Sequence, residues 1–530
     1  MTAPPTKPPR WSAVPSGALT AFVVAVAAFG YGCRPTGVPA ADDRPNILLI
    51  IVDDHAYQAI GAYGSVLNET PNIDRIAAAG IRFDRALVTN SICAPSRAVI
   101  LTGKYSHANG VLDNVDDFDG EQPTFPRLLQ TAGYQTAAFG KWHLKSEPTG
   151  FDTWEVLPGQ GHYYNPDLRT AAGRIRREGY VTDIVTDLTL DWLDGGRDED
   201  RPFFVWLGHK APHRNWMPGP DHLTTYADTT FVEPSTLFDD YSDRAPGAAT
   251  QEMEIDRHMT LMYDLKVRPA GDTTAEWETN FWDGMDDRMT TAQRADWDAA
   301  FDPRNAAFLK DPPVGADLVR WKYQEYLKDY LRTIASVDDN VGRVLDYLDT
   351  SGLADNTLVV YMSDQGFYLG EHGWFDKRWI YEESLRTPLL MRWPGRIEPG
   401  RATTALAANV DVAPTFLEAA GVAIPPAMQG LSLSRLLSGA NAPLRDSFYY
   451  HYYESQGPHA VPVHYGVVTA THKLVHYPEL DTWELFDTAS DPQELTNRYA
   501  DAALASLRDE LSEELARLRR QLGVPDDNMN

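Results

Sequence analysis

The stretch Asn46–Asp54, NILLIIVDD, runs through six consecutive apolar residues and stops at two carboxylates. A strand with one wet face would alternate apolar and polar residues. An unbroken apolar run is what a sheet covered on both faces requires. The same pattern recurs three times. YQTAAFGKWH (134–143) ends in Lys and His, PFFVWLGHKAPH (202–213) in His-Lys and His, and NTLVVYMSDQG (356–366) in Asp-Gln. Helical patterns lie between these runs. PNIDRIAAAG (71–80) offers Gly80 as a C-cap, and FPRLLQTAG (125–133) offers Gly133. A long helix from about Tyr323 to Leu348 sets Tyr326, Leu327, Tyr330, Ile334, Val337, Val341, Val344 and Leu348 on one stripe. Strands alternating with helices predict an α/β sandwich with a large, mostly parallel sheet. Ligands of such sheets bind beyond the carboxyl ends of the strands, and all four polar clusters sit at that end.

With 530 residues and 43% apolar content, the chain can bury one large core and a smaller one. A formal net charge of −28 argues against nucleic acid or an anionic membrane surface as the main partner. An anion can bind only where basic groups and a metal reverse the field locally. Residues 1–43 read as an export signal and linker. Lys7 and Arg10 precede the short apolar run GALTAFVVAVAAFGYG (17–32). Either lipid is attached at Cys33, or cleavage follows VPA (38–40), or the segment stays as an anchor. Each places the protein outside the cytoplasm, in a periplasm or on the cell surface, with membrane contact only through this segment. Residues 44–439 read as the main domain. Its 215–320 portion, rich in Pro, Asp, Thr and Trp, is an insertion at the strand ends where substrate selectivity would be built. After the apolar helix VDVAPTFLEAAGV (410–422), residues 440–530 read as a smaller α+β domain. SFYYHYY, HYGVVTATHKLVHY and TWELFDT predict a short antiparallel sheet, and Leu504, Leu507, Leu511, Leu515, Leu518 and Leu522 a packed helix.

Asp53, Asp54, Asp364 and Gln365 close two of the buried strands. Adjacent carboxylates there repel unless a cation compensates them. An oxygen-only ligand set suits Ca²⁺, with Mg²⁺ as the alternative ion; the competing reading is that the aspartates cap helices. Lys141, His143, His209, Lys210 and His213 suit an oxyanion substrate with a poor leaving group. His55, His162 and Lys104 have ordinary readings as satisfied or solvated side chains. Cys93 lies in SICAPSRAVILTG (91–103) and is one of only two cysteines. After export it has no disulfide partner, in a compartment that favours disulfides. A small buried apolar residue is the bland reading. As a nucleophile in metal-assisted phospho- or sulfo-transfer, a thiolate would form an ester with no easy route to release.

CAPSR (93–97), opening CAPSRAVILTGKY, and GKWHL (140–144) together resemble the paired signature of the type I sulfatases. The resemblance runs from about Arg44 to Leu522. It takes in TPNIDRIAAAGIRFDRA, LADNTLVVYMSDQGFYLGEHGWFDKR and WELFDTASDPQELTN, and is greatest to the N-acetylglucosamine-6-sulfatase and heparan-sulfatase group. It implies an alkaline-phosphatase-like sandwich and a sulfuric ester hydrolase acting on a sulfated glycan. It also implies that a formylglycine-generating enzyme oxidises Cys93 to formylglycine. One hydroxyl of the hydrated aldehyde would attack sulfur, and deprotonation of the other would expel sulfate. Position by position, Asp53, Asp54, Asp364 and Gln365, with residue 93, match the calcium ligands; Gln365 stands where many members have Asn. Arg97 and Lys141 match the groups that hold the hydrate, and His143 the base for sulfate release. His213 matches the group near the leaving oxygen and is the preferred general acid. Lys377 matches the lysine on the sulfate oxygens, and Pro95 and Ser96 match recognition elements for the modifying enzyme. The aromatic run 447–466 is a candidate sugar subsite. HYGVVTATHK departs from the HYGVRT and Arg-Tyr-Lys common among relatives, with Val468 and His472 at the altered positions. The alternatives are a phosphomono- or phosphodiesterase of the same superfamily, and a non-catalytic glycan-binding lipoprotein.

Overall fold

The apolar strand Asn46–Val52 divides its side chains between two cores. Leu48, Ile50 and Val52 enter one, Ile47, Leu49 and Ile51 the other, and none is exposed. Full burial of such a side chain contributes about 1.5–3 kcal/mol, so this strand is anchored from both sides. The computed structural model describes residues 44–268, 275–440, 442–455 and 457–525. The export segment, with Lys7, Arg10 and Cys33, lies outside the described residues.

Ten strands form the main sheet: β1 (Asn46–Val52), β2 (Ile81–Phe83), β3 (Gln135–Lys141), β4 (Thr153–Leu157), β5 (Asp167–Thr170), β6 (Gly173–Arg176), β7 (Phe203–Gly208), β8 (Thr357–Ser363), β9 (Leu389–Arg392) and β10 (Arg401–Thr403). Their spatial order is β10-β2-β9-β8-β1-β7-β3-β4-β5-β6. The central run β8-β1-β7-β3-β4 is parallel throughout. β9 is antiparallel to both its neighbours, and β5–β6 is an antiparallel hairpin at the edge. The four apolar runs in the sequence are thus β1, β3, β7 and β8.

One face of the sheet is covered by α1 (Pro71–Ala78), α4 (Val181–Asp191) and α7 (Ala316–Ser351), the other by α2 (Cys93–Thr102), α3 (Phe125–Thr131) and α8 (Val412–Ala419). The long helix α7 starts seven residues before the expected Tyr323, because Gly315 ends the preceding loop and ADLVRWK continues helically. Both glycines stand one residue beyond the cap position, which falls to Ala132 and Ala79. Gly133 ends its helix in the left-handed conformation at φ 91°. Gly80 does not take that conformation and is needed for closeness instead, since a Cβ there would lie 2.0 Å from the Met391 carbonyl. The insertion is more ordered than its composition suggests. It holds α5 (Glu276–Asp286) and α6 (Thr291–Lys310), the latter started by a Thr290–Gln293 capping box, with Trp282, Met285, Trp297 and Phe301 buried against the first core.

In the C-terminal region β11 (Phe448–Tyr452), β12 (His464–Val468), β13 (His472–Tyr477) and β14 (Thr482–Asp487) form an antiparallel sheet in chain order. The terminal helix α9 (Ala505–Leu522) packs on it through Leu511, Leu515 and Leu518. Among the described residues no helix is long and apolar enough to cross a membrane.

Candidate active site

The polar clusters at the carboxyl ends of the parallel strands meet in one buried nest. Asp53 and Asp54 leave β1, Lys141 ends β3, Lys210 follows β7, and Asp364 and Gln365 follow β8. His209, also after β7, is buried with both ring nitrogens unpartnered among the described residues, and its side chain makes no polar contact with the nest. The chain is tightly crossed here. A Cβ on Gly140, at φ 90°, would lie 2.0 Å from the Gly208 carbonyl, so a glycine at that point lets the ends of β3 and β7 approach and brings Lys141 to the nest. Asp54 and His143 also have positive φ, at 70° and 58°. Such non-glycine conformations cost roughly 1–3 kcal/mol each and collect where surrounding structure overrides local preference.

Cys93 is the first residue of α2, all ten residues of which are buried. The helix N-terminus directs its positive end at residue 93. Lys377 lies between the thiol and the acids, with Nζ 3.2 Å from Cys93 Sγ and 2.5 Å from Asp54 Oδ1. Arg97, one turn along α2, donates from Nε to Asp364 Oδ2 at 2.9 Å and from Nη1 to the Lys141 carbonyl at 2.9 Å, while its Nη2 is buried without a partner. Lys141 pairs with Asp53 and donates to Gln160 Oε1 at 2.5 Å. Asp364 Oδ1 accepts the Asp54 backbone N–H at 3.2 Å, and Gln365 Nε2 donates to Asp54 Oδ1 at 2.5 Å. His213 Nε2 stands 3.9 Å from Asp54 Oδ2. Its Nδ1 lies 2.5 Å from the Arg214 carbonyl, which can only accept, so that nitrogen carries the proton. The structure thus brings together Asp53, Asp54, Cys93, Arg97, Lys141, His213, Asp364, Gln365 and Lys377. His143 is buried in the field of Lys141, Arg97, Lys377 and Lys210, its Nδ1 unpartnered.

Burial dominates the electrostatics. It pushes the Cys93 thiol up to about 12, with Lys377 only partly opposing, so the unaltered thiol is protonated at neutral pH. Burial raises Asp54 to about 6 against the pull of Lys377. It lowers Lys210 to about 7, and it holds His143 and His213 well below the usual imidazole range with the help of neighbouring lysines.

The acids fit a hard divalent cation. Carboxylate oxygens of Asp53, Asp54 and Asp364 lie within 4.8 Å of one another. Asp53 Oδ1, Asp54 Oδ2 and Gln365 Oε1 are buried acceptors with no hydrogen-bond partner. Buried acceptors are normally satisfied, so three together mark a place for a cation with oxygen ligands.

A cavity of about 280 Å³ opens beside the nest, lined in part by Gln160, His162, Tyr163, Lys210, His213 and Arg214 and walled by Phe281 and Met285 of α5. The insertion therefore does reach the site. His162, with an ordinary reading in the sequence, is part of the cavity wall, whereas His55 is buried and satisfied by Tyr361 and Ala59. The rings of Tyr449, Tyr450 and Tyr452 do not shape a sugar subsite; they are buried in the core beneath the C-terminal sheet. Tyr450 acts through its hydroxyl, which donates to the Arg378 carbonyl at 2.6 Å and so supports the Lys377 loop. Ser96 has a structural task, donating to the Asp364 carbonyl and accepting from Asn409 at 2.9 Å. Sequence reasoning missed Asp376 and Arg378, which flank Lys377 at φ 79° and 95°, and His459, 3.2 Å from Asp376. For Asp376 and Arg378 the only signal was adjacency to Lys377; His459 lies far away in the sequence, within the aromatic run 447–466.

A mostly parallel sheet that ends in carboxylates, lysines and a helix-borne cysteine defines the class. The sulfatase family model matches residues 45–422, and the chain belongs to that family of sulfuric ester hydrolases. A second model, N-sulphoglucosamine sulphohydrolase C-terminal, matches residues 370–521. The chain is 47% identical to an N-acetylglucosamine-6-O-sulfatase of Bacteroides thetaiotaomicron, over 90% of this chain and 87% of that one. It is 29% identical to the human N-acetylglucosamine-6-sulfatase, over 76% of this chain and 66% of that one. A solved protein in complex with its substrate D-glucosamine-2-N,6-O-disulfate superposes with a TM-score of 0.88 at 46% identity, over 92% of this chain and 99% of that one.

Proposed function

We propose that this sulfatase removes the 6-O-sulfate of N-acetylglucosamine or a related glucosamine in a sulfated glycan. It would work outside the cytoplasm, in a periplasm or at the cell surface. The observation that carries the reading is the buried ring of contacts around residue 93, together with the 47% identity to an enzyme named for that ester. Asp53, Asp54, Asp364 and Gln365 would hold Ca²⁺, which would supply positive charge to a sulfate oxygen. Burial pushes the Cys93 thiol up to about 12, which makes it a poor nucleophile as it stands; in the proposed reading residue 93 acts as formylglycine, whose hydrate would supply the attacking oxygen. The Cys93 sulfur marks the position that oxygen would take.

The remaining steps belong to the chain's own side chains. Lys377 and Lys141 bind sulfate oxygens and offset charge as the ester bond lengthens. His213 presents Nε2 towards Asp54. An entering sulfate anion raises its proton affinity, so it protonates at Nε2 and delivers that proton to the leaving sugar oxygen. His143, held neutral with a bare ring nitrogen, accepts the proton whose removal releases sulfate. Arg97, fixed by Asp364, keeps residue 93 in line.

The test joins mass and turnover. The Cys93 peptide of active protein should have the mass of the aldehyde or its hydrate. A panel of 6-O-, 4-O- and 2-O-sulfated monosaccharides should be cleaved only where a glucosamine 6-sulfate is present, and Cys93→Ala should be inert. An unmodified thiol in active material, or preference for another position, would reject the reading.

A further inference from the structure

At about 280 Å³ the cavity beside His213 lies just below the ~300–1,000 Å³ range of ligand pockets, so it holds about one sugar ring, and a longer chain must leave over its rim. One stretch of that rim reverses the sign of the molecule. The hairpin β5–β6 follows directly on the pocket wall 158–163, and around Asp167 it gathers Arg174 at 2.8 Å, Arg176 at 3.1 Å and Arg288 at 2.6 Å. Arg288 also donates to the Asn165 carbonyl at 2.9 Å, and it comes three residues after Met285 of the opposite pocket wall. Arg174 and Arg176 are 60% and 55% exposed. Arg177 is taken up by Glu155, and Glu178 is an exposed acid on the same segment. With Arg169, and with the exposed Asp287 beside Arg288, this leaves five arginines against four carboxylates, in a chain whose net charge is −28; Asp286, the other acid next to Arg288, is taken up by Arg268 and Arg294.

Two further observations tie the hairpin to the pocket. His162, on the pocket wall, is lowered to about 4 by burial and then by Arg288 and Lys210, with Arg174 adding to the effect, so these cations share one space. The Lys210 side chain lines the cavity with its ammonium 4.7 Å over the Tyr163 ring, and it forms no ion pair among the described residues. Arg214, by contrast, is neutralised by Asp264 at 2.6 and 2.8 Å. Charges on β6 also protect an exposed sheet edge, but that task does not require them beside the pocket.

We propose that Arg174, Arg176 and Arg288 form an outward continuation of the active site that recognises a second anionic group, sulfate or carboxylate, on an extended sulfated glycan. This rests on the reading of the chain as a glycan sulfatase. The ester in the pocket is the scissile one, and the rim binds the next anion along the chain and raises the encounter rate electrostatically.

The test uses the double variant Arg174→Gln/Arg176→Gln on the full chain, with the double Lys variant as control. Substrates are 6-O-sulfo-N-acetylglucosamine and a sulfated glucosamine–uronate hexasaccharide that ends in the same sugar. The Gln pair should leave the monosaccharide kcat/KM within about twofold and lower that of the hexasaccharide roughly tenfold. It should also flatten the salt dependence, and the Lys pair should restore most of the loss. Equal losses on both substrates, or an unchanged hexasaccharide rate, would overturn the proposal while leaving the sulfatase reading intact. Loss of binding to anionic vesicles with unchanged hexasaccharide kinetics would overturn it in favour of a membrane surface. Wild-type protein inactive on both substrates would remove the parent reading and the rim with it.

Discussion

At the scale of single residues, the nest is a balance of charges that none of its members could hold alone. Lys377 is the hinge of that balance. Burial works against its charge, yet the carboxylates of Asp54 and Asp376 raise its proton affinity, so the ammonium persists. Its Nζ reaches both the thiol and Asp54, which makes it the cation best placed to feel charge building on a transferred sulfate. Lys377→Ala should therefore lower kcat/KM by about 10²–10³, with a fall in kcat as well as a rise in KM, measured on the preferred sulfated sugar. An effect on KM alone would mean that the lysine binds ground state and transition state equally. The same change leaves Asp54 without its nearest compensating charge, so a thermal melt should be recorded alongside.

At the scale of elements, the insertion is held down by a titratable pin. His372 is fully buried, with Nδ1 3.2 Å from Asp239 and Nε2 3.7 Å from Glu383, and its backbone N–H donates to Thr236 at 2.9 Å. Desolvation lowers its proton affinity, but the two carboxylates outweigh it and Arg244, and the pKa rises to about 9. A histidine whose folded pKa exceeds its unfolded value stabilises fully below about pH 6.5, and that contribution is lost as pH rises through about 9. The span corresponds to roughly 3 kcal/mol. Urea midpoints should fall from pH 6.5 to 9 in the wild type, and the fall should shrink in His372→Gln. An identical fall in both would show that other groups set the alkaline limit.

At the scale of the whole molecule, the C-terminal sheet is joined to the chemistry through the Lys377 loop. His464 Nε2 accepts the Ile380 N–H at 3.1 Å, Lys473 donates to the Ile380 carbonyl at 2.7 Å, and Glu454 lies 3.4 Å from Arg378. A chain ended at residue 440 should thus lose turnover altogether and expose the apolar surface that Leu385, Trp374 and Trp379 share with Tyr449 and Phe486, which light scattering would detect as aggregation. Soluble, active truncated protein would contradict this dependence. Much of the plan was legible in the sequence because local patterns encode it. The four apolar runs fix the parallel strands, their polar ends fix the nest, and the leucine stripe fixes α9. The helices α5 and α6 were not legible, because their few buried aromatics stand in acidic surroundings that read as loop. The partners of Asp376, Arg378 and His459 were also hidden, since they meet across more than 70 residues and no local pattern records such pairings. Tyr450 read as a sugar platform because an aromatic run looks the same whether it faces solvent or core.

Helix α2 lies wholly out of reach of solvent, residue 93 included. If residue 93 is the formylglycine proposed above, the enzyme that oxidises it would have to meet it on a nascent or unfolded chain, before the sandwich shuts over it. Readiness for catalysis would then be settled during biosynthesis. A molecule folded with its sulfhydryl intact would stay inert, beyond rescue by a late supply of that enzyme.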